Sequence, residues 1–397
     1  MKILIINQYC GSPKHGMEYR HYYLGKEFIS LGHEVQILSG SYSHLFTSQP
    51  AVTKPFSIEL IDGIEYVWAK IPAYKKSISI GRIVNMALFS WRIRKAEKYI
   101  SKPDLIIVSS PSLFPIINGL SWKRKWNCEL YFEVRDVWPL TLNVLSGISV
   151  YHPFSLLLSW FEKRAYKFAD KVISLLPGTL PHMTSKGMDK AKFKWIPNGV
   201  VLSGKDSDGL PDDLSKRLEG PSFKVGYAGG LGRSNAMEYF IQAANSMADN
   251  KNIEFIVLGE GADKKKLQDL CTNENVHFMG SYPKEIIPTF LKALDLCYIG
   301  WHKNQLYELG ISANKLFDYL YSGTPVLHSV SASNDPVKES GAGISVEPEN
   351  PNAIVDAIVK IMSLTTQERD AMGERGVSHV IENYSYAKLA KKYLANE

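Results

Sequence analysis

Short apolar runs of strand character recur along this chain, and between them apolar residues return with helical spacing. That alternation restricts the fold to parallel sheets joined by crossover helices, an α/β architecture. In the first half the strand runs fall at 2–6, 34–38, 105–108, 130–134 and 172–175, with helical patterns over 18–31 and 154–168. Trp195-Ile-Pro-Asn-Gly199 closes this series, and a polar connector rich in glycine and aspartate runs from 203 to 222. A second series follows, with strands expected at 224–227, 253–258, 276–279, 296–299 and 325–327 and helices over 236–249, 263–272 and 284–294. At 397 residues the chain is long enough for two domains, each with its own core.

Charge divides near the same boundary. The net charge is +6, but residues 1–200 hold 26 Lys+Arg against 14 Asp+Glu, and the remainder holds 20 against 26. A basic first half implies a domain facing an anionic surface or substrate. Cys10, Cys128, Cys271 and Cys297 are far apart and lack metal-site spacing, so free thiols in a reducing cytosol are expected. The opening Met-Lys-Ile-Leu-Ile-Ile-Asn7 is too short an apolar run for a signal peptide and reads as a buried strand. The uncharged stretch 105–122 approaches the length of a membrane span, but Pro111, Pro115 and Asn118-Gly119 divide it into strand, turn and short buried helix.

The segment Glu308-Leu-Gly-Ile-Ser-Ala-Asn-Lys-Leu-Phe-Asp-Tyr-Leu-Tyr-Ser-Gly-Thr-Pro-Val-Leu327 carries the clearest chemistry. A small polar loop, Gly310, Ile311, Ser312 to Asn314, enters an apolar helix that stops at Ser322-Gly323. A helix start of this kind turns unpaired N–H groups and the positive dipole end toward an anion. Lys315 adds a cation on the first turn, and Asp318, one turn on, can accept from sugar hydroxyls. Diphosphate plus ribose suits this set. The same residues also read as an ordinary helix, capped by Ser312 or Asn314.

Other strand ends offer further candidates. Tyr227-Ala-Gly-Gly-Leu-Gly-Arg233 follows a strand and precedes a helix, where Gly229 and Gly230 allow close backbone approach and Arg233 can hold phosphate. Cys10-Gly-Ser-Pro-Lys-His-Gly16, with Glu18, Arg20 and His21 beyond it, lies after the first strand. This is not G-x-G-x-x-G, and the next strand has no terminal acid, which disfavours a nicotinamide-dependent oxidoreductase. Arg135-Asp136 ends another strand and reads either as a reacting-centre pair or as a buried ion pair holding the loop. No Asp-x-Asp stands in a strand-end loop to hold a metal between phosphates, so neither a metal nor another cofactor is expected.

The 308–327 segment resembles the nucleotide-sugar signature of glycosyltransferase family 4. The likeness extends through Arg20-His-Tyr-Tyr-Leu…Leu31-Gly-His-Glu-Val35, Glu133-Val-Arg-Asp-Val-Trp-Pro139, Trp160-Phe-Glu-Lys…Ala169-Asp170, Ile196-Pro-Asn-Gly199, Gly226-Tyr-Ala-Gly-Gly-Leu-Gly-Arg-Ser-Asn235 and Leu258-Gly-Glu-Gly261. It is nearest to a bacterial O-antigen and capsule subgroup that includes N-acetyl-L-fucosamine transferases. The resemblance implies the GT-B fold: two Rossmann-like, doubly wound parallel-sheet domains facing a central cleft. Residues 1–200 would bind the acceptor, 201–379 the nucleotide sugar, and 380–397 would pack back on the first domain.

By the same resemblance the activity is retaining transfer of an N-acetylated hexose or 6-deoxyhexose. The donor is a UDP-sugar and the acceptor a lipid-linked oligosaccharide. Donor contacts fall to Gly229, Gly230, Arg233, Ser281, Tyr282, Gly310, Ile311, Ser312, Asn314, Lys315 and Asp318, with the loop Gly280-Ser-Tyr282 meeting the base through its backbone. Acceptor contacts fall to Gly16, Glu18, Arg20 and His21, and Arg135 and Asp136 to the reacting centre. The chain departs from the family at Gly310, where the first glutamate of a pair stands, and at Gly230 and Asn235, where an arginine and a lysine are usual. Cationic duty therefore passes to Arg233 and Lys315. A UDP-sugar 2-epimerase and a silent UDP-binding membrane assembly partner are the competing readings.

Lys75-Lys76, the helical stretch 81–98 with Arg92, Arg94, Lys95 and Lys98, and Trp122-Lys-Arg-Lys-Trp126 combine basic and aromatic residues. They imply peripheral contact with an anionic membrane from the cytoplasmic side, while the apolar stripe alone would equally serve a core. No nucleic-acid partner is expected.

Overall fold

The computed structural model describes residues 1–16, 19–74, 79–202 and 209–395. Glu18, Lys75 and Lys76 lie outside these residues. The chain divides into two compact units, Met1–Pro197 with Tyr386–Glu397, and Asn198–Ser385.

In the first unit the strands are β1 (Lys2–Ile6), β2 (Glu34–Gly40), β3 (Phe56–Ile61), β4 (Ile64–Ala69), β5 (Leu105–Ser109), β6 (Glu129–Val134), β7 (Lys171–Ser174) and β8 (Phe193–Trp195). They form one sheet in the order β3-β4-β2-β1-β5-β6-β7-β8, parallel except for the β3–β4 hairpin. Buried on both faces, β1 and β5 are runs of Ile, Leu and Val, as central parallel strands must be. Side chains alternate across the sheet. Ile3, Ile5, Ile107, Tyr131 and Ile173 point to one face, where they pack with the helices Arg20–Ser30 and Tyr386–Leu394. The opposite face receives the helix Ile116–Trp126. A Cβ on Gly119 would stand 2.6 Å from Val108 Cγ2, so glycine lets this helix lie close to the sheet.

The hairpin Phe56–Ala69 and the edge strand β8 were absent from the sequence expectation. Phe56–Ile61 sits at an edge of the sheet, where Ile58 and Leu60 stay exposed and Ser57 and Glu59 interrupt the apolar run that marks a buried strand.

The second unit holds β9 (Phe223–Ala228), β10 (Ile253–Leu258), β11 (Val276–Gly280), β12 (Leu296–Gly300), β13 (Val326–Ser329) and β14 (Gly343–Val346). The order is β11-β10-β9-β12-β13-β14, all parallel. Strand order reverses between β9 and β12 here, and between β1 and β5 in the first unit. Such switch points leave a crevice at the carboxyl ends of the strands, where open α/β sheets bind ligands. Among the described residues no helix is long and apolar enough to cross a membrane.

Candidate active site

In the second unit three segments meet at the switch point. The loop after β9 holds Gly229 and Gly230, Trp301 follows β12, and Gly310–Asn314 leads into the helix Asn314–Tyr321. That helix is tied to the end of β9 by one side chain. The Tyr319 hydroxyl accepts from Ala228 N at 2.7 Å and donates to Ala228 O at 2.8 Å. Its N-cap, Ala313, offers no side-chain hydrogen bond, so the first-turn amides are left for a ligand or solvent. Ser312 and Asn314 do not cap it. The Ser312 hydroxyl accepts from Asn198 N at 2.8 Å, while Asn314 is the exposed first helical residue.

The loop itself is held from below. Gly310 has φ +125°, a conformation suited to glycine, and buried Asn334 accepts from Ile311 N at 2.7 Å and donates to Ile311 O at 3.0 Å. Asn334 has no sequence signal that links it to the loop, and Asn198, though part of the Ile196-Pro-Asn-Gly199 segment, stands 114 residues from Ser312, so neither contact is legible from the sequence.

Lys315 reaches from the helix start toward β9. Its ammonium donates to the Tyr227 hydroxyl at 3.2 Å and to Asn235 Oδ1. It lies 5.0 Å from the Tyr227 ring centre and 5.3 Å from that of Trp301. The Tyr227 hydroxyl and the Asn235 amide both donate to Gly230 O at 2.8 Å, which joins the lysine network to the glycine loop. Part of the side chain meets solvent, but the ammonium end sits among aromatic rings and neutral amides. Burial there pushes it down to about 7. Burial likewise raises the Asp318 carboxyl, with Lys284 opposing.

Space over the glycine loop is narrow. A Cβ on Gly229 would stand 2.9 Å from the Tyr227 hydroxyl, and one on Gly259 would lie 1.9 Å from Gly229 O. Arg233 is exposed in the short turn Arg233–Asn235 and forms no ion pair with the described residues. Gly280 (φ +80°) accepts from Gly259 N at 2.6 Å, so the 280–282 loop is joined to the 258–261 loop. Ser281 is exposed. Tyr282 donates to Asp213 Oδ2 at 2.5 Å, and burial together with that bond pushes its phenol up to about 12.

In the first unit the residues expected to meet an acceptor are built into the protein interior. Arg20 and His21 are buried around Glu133, with Arg20 Nε 3.1 Å from Oε2 and His21 Nε2 2.8 Å from Oε1. Arg20 also donates to Ile196 O at 2.9 Å, and Asn7 donates to His21 Nδ1 at 2.9 Å. Burial acts to raise the Glu133 carboxyl. The Arg20, His21 and Arg135 charges outweigh it and hold the group well below the usual carboxylate range. Gly16 (φ +99°) is demanded by the fold, since a Cβ there would stand 2.7 Å from Thr47 N. Arg135, half-buried, and Asp136, exposed, follow β6, and their amides donate to Ser110 Oγ at 2.8 and 3.4 Å.

Two doubly wound units in series define the GT-B class of glycosyltransferases. Residues 15–203 match the family described as Glycosyltransferase Family 4, and residues 222–363 match Glycosyl transferases group 1. Together the matches take in most of the chain, which belongs to these glycosyltransferases. The putative colanic acid biosynthesis glycosyl transferase WcaI of Escherichia coli K12 is 22% identical over 84% of this chain and 85% of its own. An uncharacterized glycosyltransferase of Methanocaldococcus jannaschii is 27% identical over 42% of each chain, so this match spans less than half of that relative. Among solved structures, WaaG, a glycosyltransferase involved in lipopolysaccharide biosynthesis, superposes with a TM-score of 0.67 at 14% identity over all of both chains. Anabaena HepE in complex with UDP and glucose gives 0.63 at 15% identity, over 99% of this chain and 98% of its own.

Proposed function

We propose that the chain is a retaining glycosyltransferase of bacterial surface-polysaccharide assembly. It moves an N-acetylated hexose or 6-deoxyhexose from a UDP-sugar to a lipid-linked saccharide at an anionic membrane face. The observation that carries this reading is Lys315, held beside the Gly229-Gly230 loop at an uncapped helix start. A departing diphosphate would meet the lysine, the exposed Arg233 and the first-turn amides. Fixed donors aimed at developing charge are the main electrostatic device for such a step. With that charge supplied by the protein, the reaction proceeds without a metal. Asp318, kept poorly solvated, accepts from the ribose hydroxyls.

In the step itself the acceptor hydroxyl oxygen bonds to the anomeric carbon as the bond to the diphosphate oxygen breaks, and the hydroxyl proton passes to that oxygen. Front-side attack retains configuration and asks for little general-base chemistry. Arg135 and Asp136 are assigned to orienting the acceptor. The relatives named for colanic acid and lipopolysaccharide biosynthesis and the HepE complex with UDP support the polymer class and the nucleotide.

Thermal-shift titration with UDP-, GDP- and dTDP-sugars tests the assignment, repeated on Lys315→Ala and Arg233→Ala. Stabilisation specific to UDP and weakened in both variants is expected. UDP stabilisation that survives both substitutions refutes the diphosphate site.

A further inference from the structure

In the first unit the helices Ile80–Ile93, Ile116–Trp126 and Pro153–Phe168 lie side by side. Ser90 Oγ donates to Asn118 Oδ1 at 2.7 Å, and the Phe114 and Phe161 rings meet at 5.0 Å. Each helix buries one face, through Met86, Phe89 and Ile93 in the first and Leu158, Phe161 and Ala165 in the last. The outer faces of the first and last are apolar too, while the middle helix exposes Ile117 beside Ser121, Arg124 and Lys125. Ile80, Val84, Leu88 and Trp91 recur at helical spacing on the first, and all four are exposed, Ile80 to 79%. Leu156, Leu157, Trp160 and Phe168 are exposed on the last. Tyr151, 82% exposed, precedes this helix, and Leu145 extends the surface on the helix Leu140–Ser146, which Ser155 ties down by donating to Asn143 Oδ1 at 2.7 Å. Monomeric proteins rarely leave this much large apolar surface together.

Cations edge the surface. The Arg164 guanidinium lies 4.8 Å from the Trp160 ring centre and 5.4 Å from that of Phe168. Lys167 stands 5.5 Å from Phe168, and Lys95 5.9 Å from Trp91. Acids on the same elements are already engaged: Glu162 is buried 2.9 Å from His182 Nε2, and Glu97 pairs with Lys125.

We propose that this helical layer is a docking face for an anionic bilayer, with Pro153–Phe168 as a second insertion element beside Ile80–Ile93. The exposed aliphatic and aromatic side chains enter the headgroup region, and Lys95, Arg164 and Lys167 meet lipid phosphates. The assignment rests on the membrane part of the reading above and adds the 140–168 segment to it. A second copy of this chain is the other candidate occupant. A two-fold self-contact sets the same patch against itself and so brings basic rims together, which disfavours it.

The test is co-sedimentation of the full chain with phosphatidylcholine vesicles, with and without phosphatidylglycerol, at low and high salt. Binding only to the anionic vesicles at low salt is expected. Leu157→Glu with Trp160→Glu should weaken it at least tenfold while leaving the UDP thermal shift unchanged. Trp160→Phe preserves the fold and should reduce quenching of tryptophan fluorescence by brominated acyl chains. Undiminished vesicle binding by the double variant overturns the role of the second helix, even if the membrane reading stands. No binding by the unaltered chain overturns both. A lipid-free dimer that the double variant splits assigns the face to self-association instead. The UDP titration is a separate readout, so failure here leaves the donor site untouched.

Discussion

The Trp301 indole N–H donates to His328 Nε2 at 3.0 Å, which obliges His328 to carry its own proton on Nδ1, facing Asp335 Oδ1 at 2.8 Å. His328 is fully buried, and its bond holds the Asp335 carboxyl below its ordinary range despite burial. The chain of three fixes the plane of the indole, whose ring lies beside the Lys315 ammonium. Trp301→Phe keeps a ring but leaves His328 Nε2 unpaired, at an expected cost of about 1–3 kcal/mol. Calorimetry should show the lowered unfolding temperature, and UDP titration a smaller loss than Lys315→Ala causes.

Lys315→Ala removes a cation and its hydrogen bonds from the proposed diphosphate site. Bonds to charged groups contribute roughly 1.5–3 kcal/mol, so UDP affinity should fall by about 10- to 100-fold. Isothermal titration measures it, and Lys315→Arg should restore part of the loss.

The lowered lysine also makes binding depend on pH. Its folded value, about 7, lies below the ordinary lysine value of 10.5, so between these limits the unfolded chain holds more protons and the ligand-free protein gains stability as pH rises. Diphosphate favours the charged lysine, so UDP binding above pH 7 should take up a proton. Affinity should then fall by up to about tenfold per pH unit, the limit for one linked proton. Titrations in buffers of different ionisation enthalpy will report the uptake, and Lys315→Arg should abolish it.

Glu133 has the opposite linkage. Its carboxyl is held below its ordinary value, so the stability it confers is present above the unfolded value and is lost as pH falls through the folded one. Glu133→Gln leaves the Arg20 guanidinium buried without a countercharge, at an expected cost of about 3–5 kcal/mol. Circular-dichroism melts from neutral to acid pH should show a lower and flatter stability profile in the variant.

How far the sequence could be read depended on how local the governing interactions are. The strands at 2–6 and 253–258 fall where the sequence expects them to the residue, because short apolar runs rich in Ile, Leu and Val mark buried parallel strands. The glycines after β9 and the helix start at Asn314 were legible for the same local reason. The partners that set their chemistry were not. Tyr227 stands 88 residues from Lys315, and Glu133 stands 113 from Arg20, so a basic helix start that looked like a ligand contact is an internal ion pair. Asp335-Pro336 did carry a local signal. Aspartate before proline marks a helix start, and Asp335 accepts from Val337 N at 3.2 Å as that helix's cap.

The helix Tyr386–Leu394 covers Ile3, Ile5 and Tyr131, strands made hundreds of residues earlier in synthesis. The first unit therefore emerges from the ribosome with one flank bare, whereas the second is one uninterrupted stretch, Asn198–Ser385. Vectorial translation thus lets the later unit close before the earlier one is complete, and the nascent chain must keep an apolar sheet face from aggregating while it waits.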